Sequence, residues 1–228
     1  MRLITFTDLN GFGIFPPKKN TELIPSWYKK TNSYINKVKE VIDPNGTTAT
    51  IKKCIPVFDA MAAGYTLFTQ TDIVVKQQED GPYYFWPSGG GIEFHAVIQA
   101  PLHPMKNENP YPKIINPYGI KTPRSYSALF LPPLHNPNGI FTAMPGIVDT
   151  DKYSQAINFP FTLNDSNWEG TIPAGTPIVQ VIPFKRESWV SKIGGKREIN
   201  EHKEDVKLLN TKFFDKYKTL FWEKKVYN

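Results

Sequence analysis

Two stretches of this chain hold residue types and spacings that could do chemistry. Thr122-Pro123-Arg124-Ser125-Tyr126 offers a cation and a hydroxyl beside a proline turn, and Val148-Asp149-Thr150-Asp151-Lys152-Tyr153 offers two carboxylates one residue apart. Carboxylates in that spacing point the same way if the strand before them continues. So placed, they can hold a cation, or separate their proton affinities so that one serves as a base. Asp-Thr-Asp also makes an Asx turn readily, and the turn stays open as the alternative.

Other chemistries have less to work with. The four histidines, His95, His103, His135 and His202, form neither His-x-His nor His-x-x-x-His. A zinc hydrolase or cupin site is therefore unsupported. His202-Lys203-Glu204 is the one fragment of a facial triad, and no histidine follows it. Gly-x-Ser-x-Gly, Walker A and Gly-x-Gly-x-x-Gly patterns are missing, and Gly89-Gly90-Gly91 reads as backbone geometry. Cys54, the single cysteine, excludes an internal disulfide and reads as a small core residue.

The elements that must position these residues are short strands. The 228 residues suffice for one domain with a sizeable core, and 40% hydrophobic against 21% charged residues is a globular balance. Twenty-one prolines favour short strands and structured loops over long helices. Residues 1–50 read as an irregular extension with a short helix around Tyr34–Ile42. Residues 51–188 read as a β-rich core, with strands at 64–69, 72–75, 83–86, 92–98, 126–131, 146–148, 156–163 and 176–184. Residues 189–228 read as a linker and an amphipathic helix from Asn200 to Lys224, with Asn200 as its cap. Val206, Leu209, Phe213, Tyr217, Leu220 and Phe221 form its apolar stripe, which needs a core or a neighbouring subunit to cover it.

The net charge is +6, but twelve basic and seven acidic residues lie in 185–228, so five of those six charges belong to the tail. Mixed signs suit a solvated helix face, and nucleic acid is not an expected partner. No apolar run is long enough to span a bilayer, so no membrane partner is expected. Met1–Phe6 lacks the apolar stretch of a leader, so an intracellular (host cytoplasm) or virion location is the expectation.

Four segments, in order, resemble the motifs of trimeric dUTPases. Ala62-Ala63-Gly64-Tyr65-Thr66-Leu67 is similar to the first, Pro123-Arg124-Ser125 to the second and Gly146–Asp151 to the third. Ala174–Ile182, which includes Gln180, resembles the strand that follows. The resemblance spans about residues 60–184. It implies a mainly β, dUTPase/dCTP-deaminase-like β-clip, a distorted barrel or sandwich, with a C-terminal helix added. It also implies a homo-oligomer, a trimer by preference.

Carried over residue by residue, the resemblance makes Asp149 the group that activates water and Asp149 with Asp151 the ligands of Mg2+. Arg124, Ser125, Tyr153 and Gln180 would contact a nucleoside phosphate. The chain departs from the pattern where Thr66 replaces an acid, where Lys152 displaces Tyr153 by one position, and where Ser154 replaces a glycine. A second resemblance, carried by Ile24–Trp27, Cys54–Ala60, Val148–Asp151, Asn158–Phe161 and Gln180–Arg186, is to an uncharacterised family of tailed-phage and bacterial proteins. Two functions follow as expectations. One is a phage-type dUTPase-like protein that binds, and if active hydrolyses, a (deoxy)nucleoside phosphate. The other is a non-catalytic viral structural protein that contacts its own copies or other virion proteins.

Overall fold

Proline and glycine break the middle of the chain into runs of three to nine residues that pair as antiparallel strands. The computed structural model describes residues 2–35, 42–43, 46–99, 111–211 and 215–225. It divides into two units, one of Met1–Leu23 with Ala63–Arg186 and the other of Ile24–Ala62 with Glu187–Asn228.

In the first unit a five-stranded sheet runs β13 (Gly146–Val148), β11 (Tyr126–Leu131), β16 (Pro177–Lys185), β5 (Tyr65–Phe68), β2 (Lys18–Lys19). A four-stranded sheet runs β12 (Phe141–Ala143), β14 (Phe159–Leu163), β9 (Tyr111–Ile114), β8 (Ile92–His95). A third sheet holds β15 (Gly170–Ile172), β6 (Ile73–Gln78) and β7 (Gly81–Phe85), and β1 (Thr5–Asp8) pairs with β10 (Tyr118–Lys121). All of these pairings are antiparallel, and each described sheet is open. The mainly β class with a C-terminal helix is the one expected from the sequence.

The core explains the strand compositions. Ile178, Val179, Gln180 and Val181 are buried in succession because β16 lies at the centre of its sheet and is covered on both faces. Phe130 meets Phe159 at 5.5 Å between ring centroids, and Phe141 meets Phe161 at 5.1 Å. Each such side chain contributes about 1.5–3 kcal/mol on burial. Gly64, just before β5, has φ +69, and a Cβ there would stand 1.9 Å from the Val181 carbonyl oxygen. Only glycine fits both demands.

The second unit holds α1 (Ser26–Lys30), the pair β3 (Ile42–Asp43) and β4 (Gly46–Thr47), α2 (Ile55–Ala62), α3 (Lys196–Asn210) and α4 (Lys216–Leu220). Most of the helix expected around Tyr34–Ile42 lies outside the described residues, and Tyr34 itself bridges Ala49. Cys54 is exposed, not a core residue: it joins a 3-10 turn to α2, and its carbonyl accepts from Val57 and Phe58.

The tail also differs from its reading. α3 begins four residues before Asn200, because the Glu198 carboxylate accepts from the Gly195 N–H at 2.8 Å and closes the first turn. Asn200 lies inside the helix. The tail is not one helix to Lys224: Asp215 takes φ 52, and α4 starts after it. Phe213 lies outside the described residues. The part of the stripe that lies on α3, Val206 and Leu209, is not buried. Among the described residues no helix is long and apolar enough to cross a membrane.

Candidate functional site

Register alone gathers the site. β11 lies between β13 and β16, and Ala128 pairs with Val148 while Tyr126 pairs with Lys185. The residues just beyond those two neighbours, Asp149 and Arg186, therefore flank the start of β11 from either side. Ser127 Oγ donates to Asp149 Oδ1 at 2.6 Å, and the Arg186 N–H donates to the Ser125 carbonyl at 2.8 Å.

After Val148 the chain turns, with Lys152 and Tyr153 N–H groups both donating to the Asp149 carbonyl. Thr150, buried at the centre of the turn, shares a 2.7 Å hydrogen bond with the Thr122 hydroxyl. Asp-Thr-Asp does form a turn, but one closed by the Asp149 carbonyl and not an Asx turn, since the Asp149 carboxylate accepts from Ser127 and Arg186.

The residue on which the carboxylates converge is Arg186. Its Nη1 donates to Asp151 Oδ1 at 2.8 Å and its Nη2 to Asp151 Oδ2 at 2.5 Å. Nη1 also reaches Asp149 Oδ1 at 3.2 Å, Ser127 Oγ at 3.0 Å and the Tyr126 carbonyl at 3.1 Å. The Asp151 side chain is only 5% exposed. The Arg186 guanidinium, with help from the Ser125 N–H at 2.8 Å, holds the Asp151 carboxyl far below the usual carboxylate range, against the opposing effect of burial. Asp151 in turn raises the proton affinity of Arg186.

The second segment forms a tight turn in which the Tyr126 N–H donates to the Pro123 carbonyl at 3.1 Å. Ser125, its third residue, has φ 69 and Arg124 is not in the left-handed region, the pattern of a type II turn. That position favours glycine, so Ser125 is strained, and its N–H bond to Asp151 holds it there.

The expected site residues divide. Asp149, Asp151 and Ser125 come together around Arg186. Arg124 is exposed on the turn beside them, and Tyr153 is 51% exposed beyond Asp149. Gln180 is elsewhere, opposite Leu131 at the far end of β11. It is 1% exposed, donates to the Ala63 carbonyl at 2.7 Å and accepts from the Leu134 N–H at 3.0 Å. Sequence reasoning missed Arg186, whose only signal was a lone arginine directly after a strand-like run.

Around the knot the surface is basic. Lys121 Nζ donates to the Asp151 carbonyl at 2.8 Å, Arg124, Lys152 and Lys185 are exposed, and Arg2 lies over the Tyr126 ring at 5.0 Å. Arg186 offsets one of the two aspartate charges, and these five basic side chains still leave a local excess of positive charge suited to an anion.

No protein-family model matches the chain, and no curated protein matches it in sequence. Among solved structures it is similar to a mutant dUTPase from phage phi11 of S. aureus, described with a structural Mg(II) ion. The identity is 12% over 85% of this chain and 95% of that one, with a TM-score of 0.37. A mutant dUTPase of Staphylococcus bacteriophage 80alpha with dUpNHpp is similar at 12% identity, over 85% of this chain and 87% of that one, also at TM-score 0.37. Likeness at this level assigns no role to any residue here.

The donor set at Asp149 and Asp151 does not fit Mg2+. That ion requires about six oxygens in octahedral array at roughly 2.0–2.1 Å. Both oxygens of Asp151 face the guanidinium, and Asp149 Oδ1 already accepts from Ser127 and Arg186. Thr66, where the resemblance calls for an acid, is buried and donates to Asn20 Oδ1 at 2.6 Å. Among the described residues no three histidine, cysteine or acidic side chains gather.

Proposed function

We propose that this chain binds a phosphate-bearing ligand, of the (deoxy)nucleoside phosphate class, at the Thr122–Tyr126 turn, and that it does so without a divalent metal and without hydrolysis. The observation that supports this reading is the Arg186 knot. It occupies the carboxylates that a hydrolytic mechanism would use for water and metal, while Arg124 and Lys152 remain exposed beside the turn. Arg124 and the Ser125 hydroxyl would meet phosphate oxygens, and Tyr153 would lie against the sugar. The test is calorimetry with each deoxynucleoside triphosphate in EDTA, paired with an assay for released pyrophosphate. Saturable binding that weakens in Arg124→Ala, with no pyrophosphate, is the expected result. Pyrophosphate release lost in Asp149→Asn would make the chain an enzyme instead, and no binding at millimolar nucleotide would end the reading.

The second reading, a non-catalytic virion component that associates with its own copies, trimeric by preference, is favoured by a different observation. Trp189 and Val190 are 87% and 98% exposed and Ile193, three residues further on, is fully so, three apolar side chains that water does not favour. Light scattering tests it: a strict monomer at tens of micromolar counts against self-association.

A further inference from the structure

Helix α3 carries a heptad seam. Ile199, His202, Val206 and Leu209 follow one another at steps of three, four and three, the a and d positions of two heptads. Ile199 and Val206 are 54% and 40% exposed, and nothing in α3 is buried. The opposite face is already served. Arg197 pairs with Glu201 at 2.9 Å and Lys207 with Glu204 at 2.5 Å, both within the helix and both away from the seam.

The charges beside the seam distinguish one partner. In this frame the g positions are Glu198 and Asp205, both acidic, and the e positions include Lys196 and Lys203, both basic. Parallel strands place a g residue against the e residue five further on in the other strand, so Glu198 would face Lys203 of a second copy. Antiparallel strands would set e against e and g against g, like charge against like. Glu198 also bonds Lys192 at 2.8 Å, but that lysine is 80% exposed and its pairing is easily exchanged.

We infer that the α3 seam is an interface between copies of this chain, packed in parallel with Glu198 against Lys203. The inference rests on the self-association proposed above and names its surface. A cyclic assembly whose axis runs along α3 brings identical helices together with the same polarity, as a parallel seam requires. β-Branched Ile199 and Val206 at a, with Leu209 at d, suit packing between strands, and His202 is the polar seam position that fixes register. Two heptads are too short to hold as an isolated coil, so the seam strengthens assembly without being its sole support.

Sedimentation on the full chain tests this. Val206→Glu should raise the dissociation constant about tenfold or more, and Lys203→Glu, which sets like charge against Glu198, should raise it by about threefold. Neither change touches a buried residue, and circular dichroism of each variant checks that the fold is kept. A Cys54→Ser, Val206→Cys chain should cross-link to its own copy on mild oxidation, because parallel strands set Val206 beside Val206. Assembly indifferent to Val206→Glu, with no cross-link, would overturn the seam while leaving self-association standing. A monomeric parent chain would overturn both.

Discussion

Arg186 grips Asp151 with both arms of its guanidinium, and the same Nη1 reaches across to Asp149. One side chain thus ties the turn after β13 to the end of β16. Lysine has a single charged point and cannot span the same set of acceptors. Arg186→Met should leave the nearly buried Asp151 carboxylate without its cation and lower the melting temperature by several degrees. Arg186→Lys should fall between the two. A thermal melt of the three proteins checks the order.

The same pair sets a dependence on pH. The Asp151 proton affinity is lower in the folded chain than in the unfolded one, so its contribution is present above the unfolded pKa and fades as pH falls toward the folded value. Asp151→Asn should therefore cost most at neutral pH, with the gap to the parent narrowing from about pH 4 downward. Urea midpoints at several acidic pH values would show the convergence; a gap that widens in acid would contradict the assignment.

Ser125 offers a separation of stability from binding. Glycine relieves its positive φ while keeping the N–H bond to Asp151, so Ser125→Gly should hold or raise stability by up to about 1 kcal/mol. If the hydroxyl meets phosphate, the same variant should bind nucleotide several-fold more weakly. Unchanged binding would remove Ser125 from the ligand site.

Gly64 gives the reverse case. Gly64→Ala forces a side chain into the left-handed region and against the Val181 carbonyl, and backbone strain alone should cost about 1–3 kcal/mol. A lower urea midpoint with an unchanged slope is the expected readout.

In the second unit, Asp59 accepts from Trp222 Nε1 at 2.8 Å and pairs with Lys225 at 2.9 Å, while Lys53 pairs with Asp215 at 2.6 Å. Asp59→Ala should raise hydrogen exchange across 216–225 and leave the exchange of β11 and β16 as it was.

Local chemistry explains which of these features could be read from sequence. β11 and β13 were legible to the residue because proline and glycine bracket short apolar runs. α2 was not: Ile55-Pro56-Val57-Phe58 looks strand-like, yet a proline in the first turn of a helix forgoes a bond that would be unmade anyway. Asp149 and Asp151 were singled out as candidates by their spacing. Arg186 could not be, because its carboxylate partners are 37 and 35 residues away and only strand register brings them near. Gln180 was assigned to the ligand from its strand, but its place at the other end of β11 depends on that same register.

The way the chain shares itself between two units bears on its synthesis. Asp59 leaves the ribosome 163 residues before Trp222, which gives it a hydrogen-bond partner. At ~5–20 residues per second that is a wait of roughly 8 to 30 s. During it the strands of Ala63–Arg186 emerge and can pair with one another, whereas Ile24–Ala62 has no tail to close on. The second unit, whose opening segment Ile24–Ala62 emerges ahead of most of the first unit's strands, is thus finished last, and a nascent chain stalled between residues 63 and 187 would present α2 without the segment that completes its surroundings.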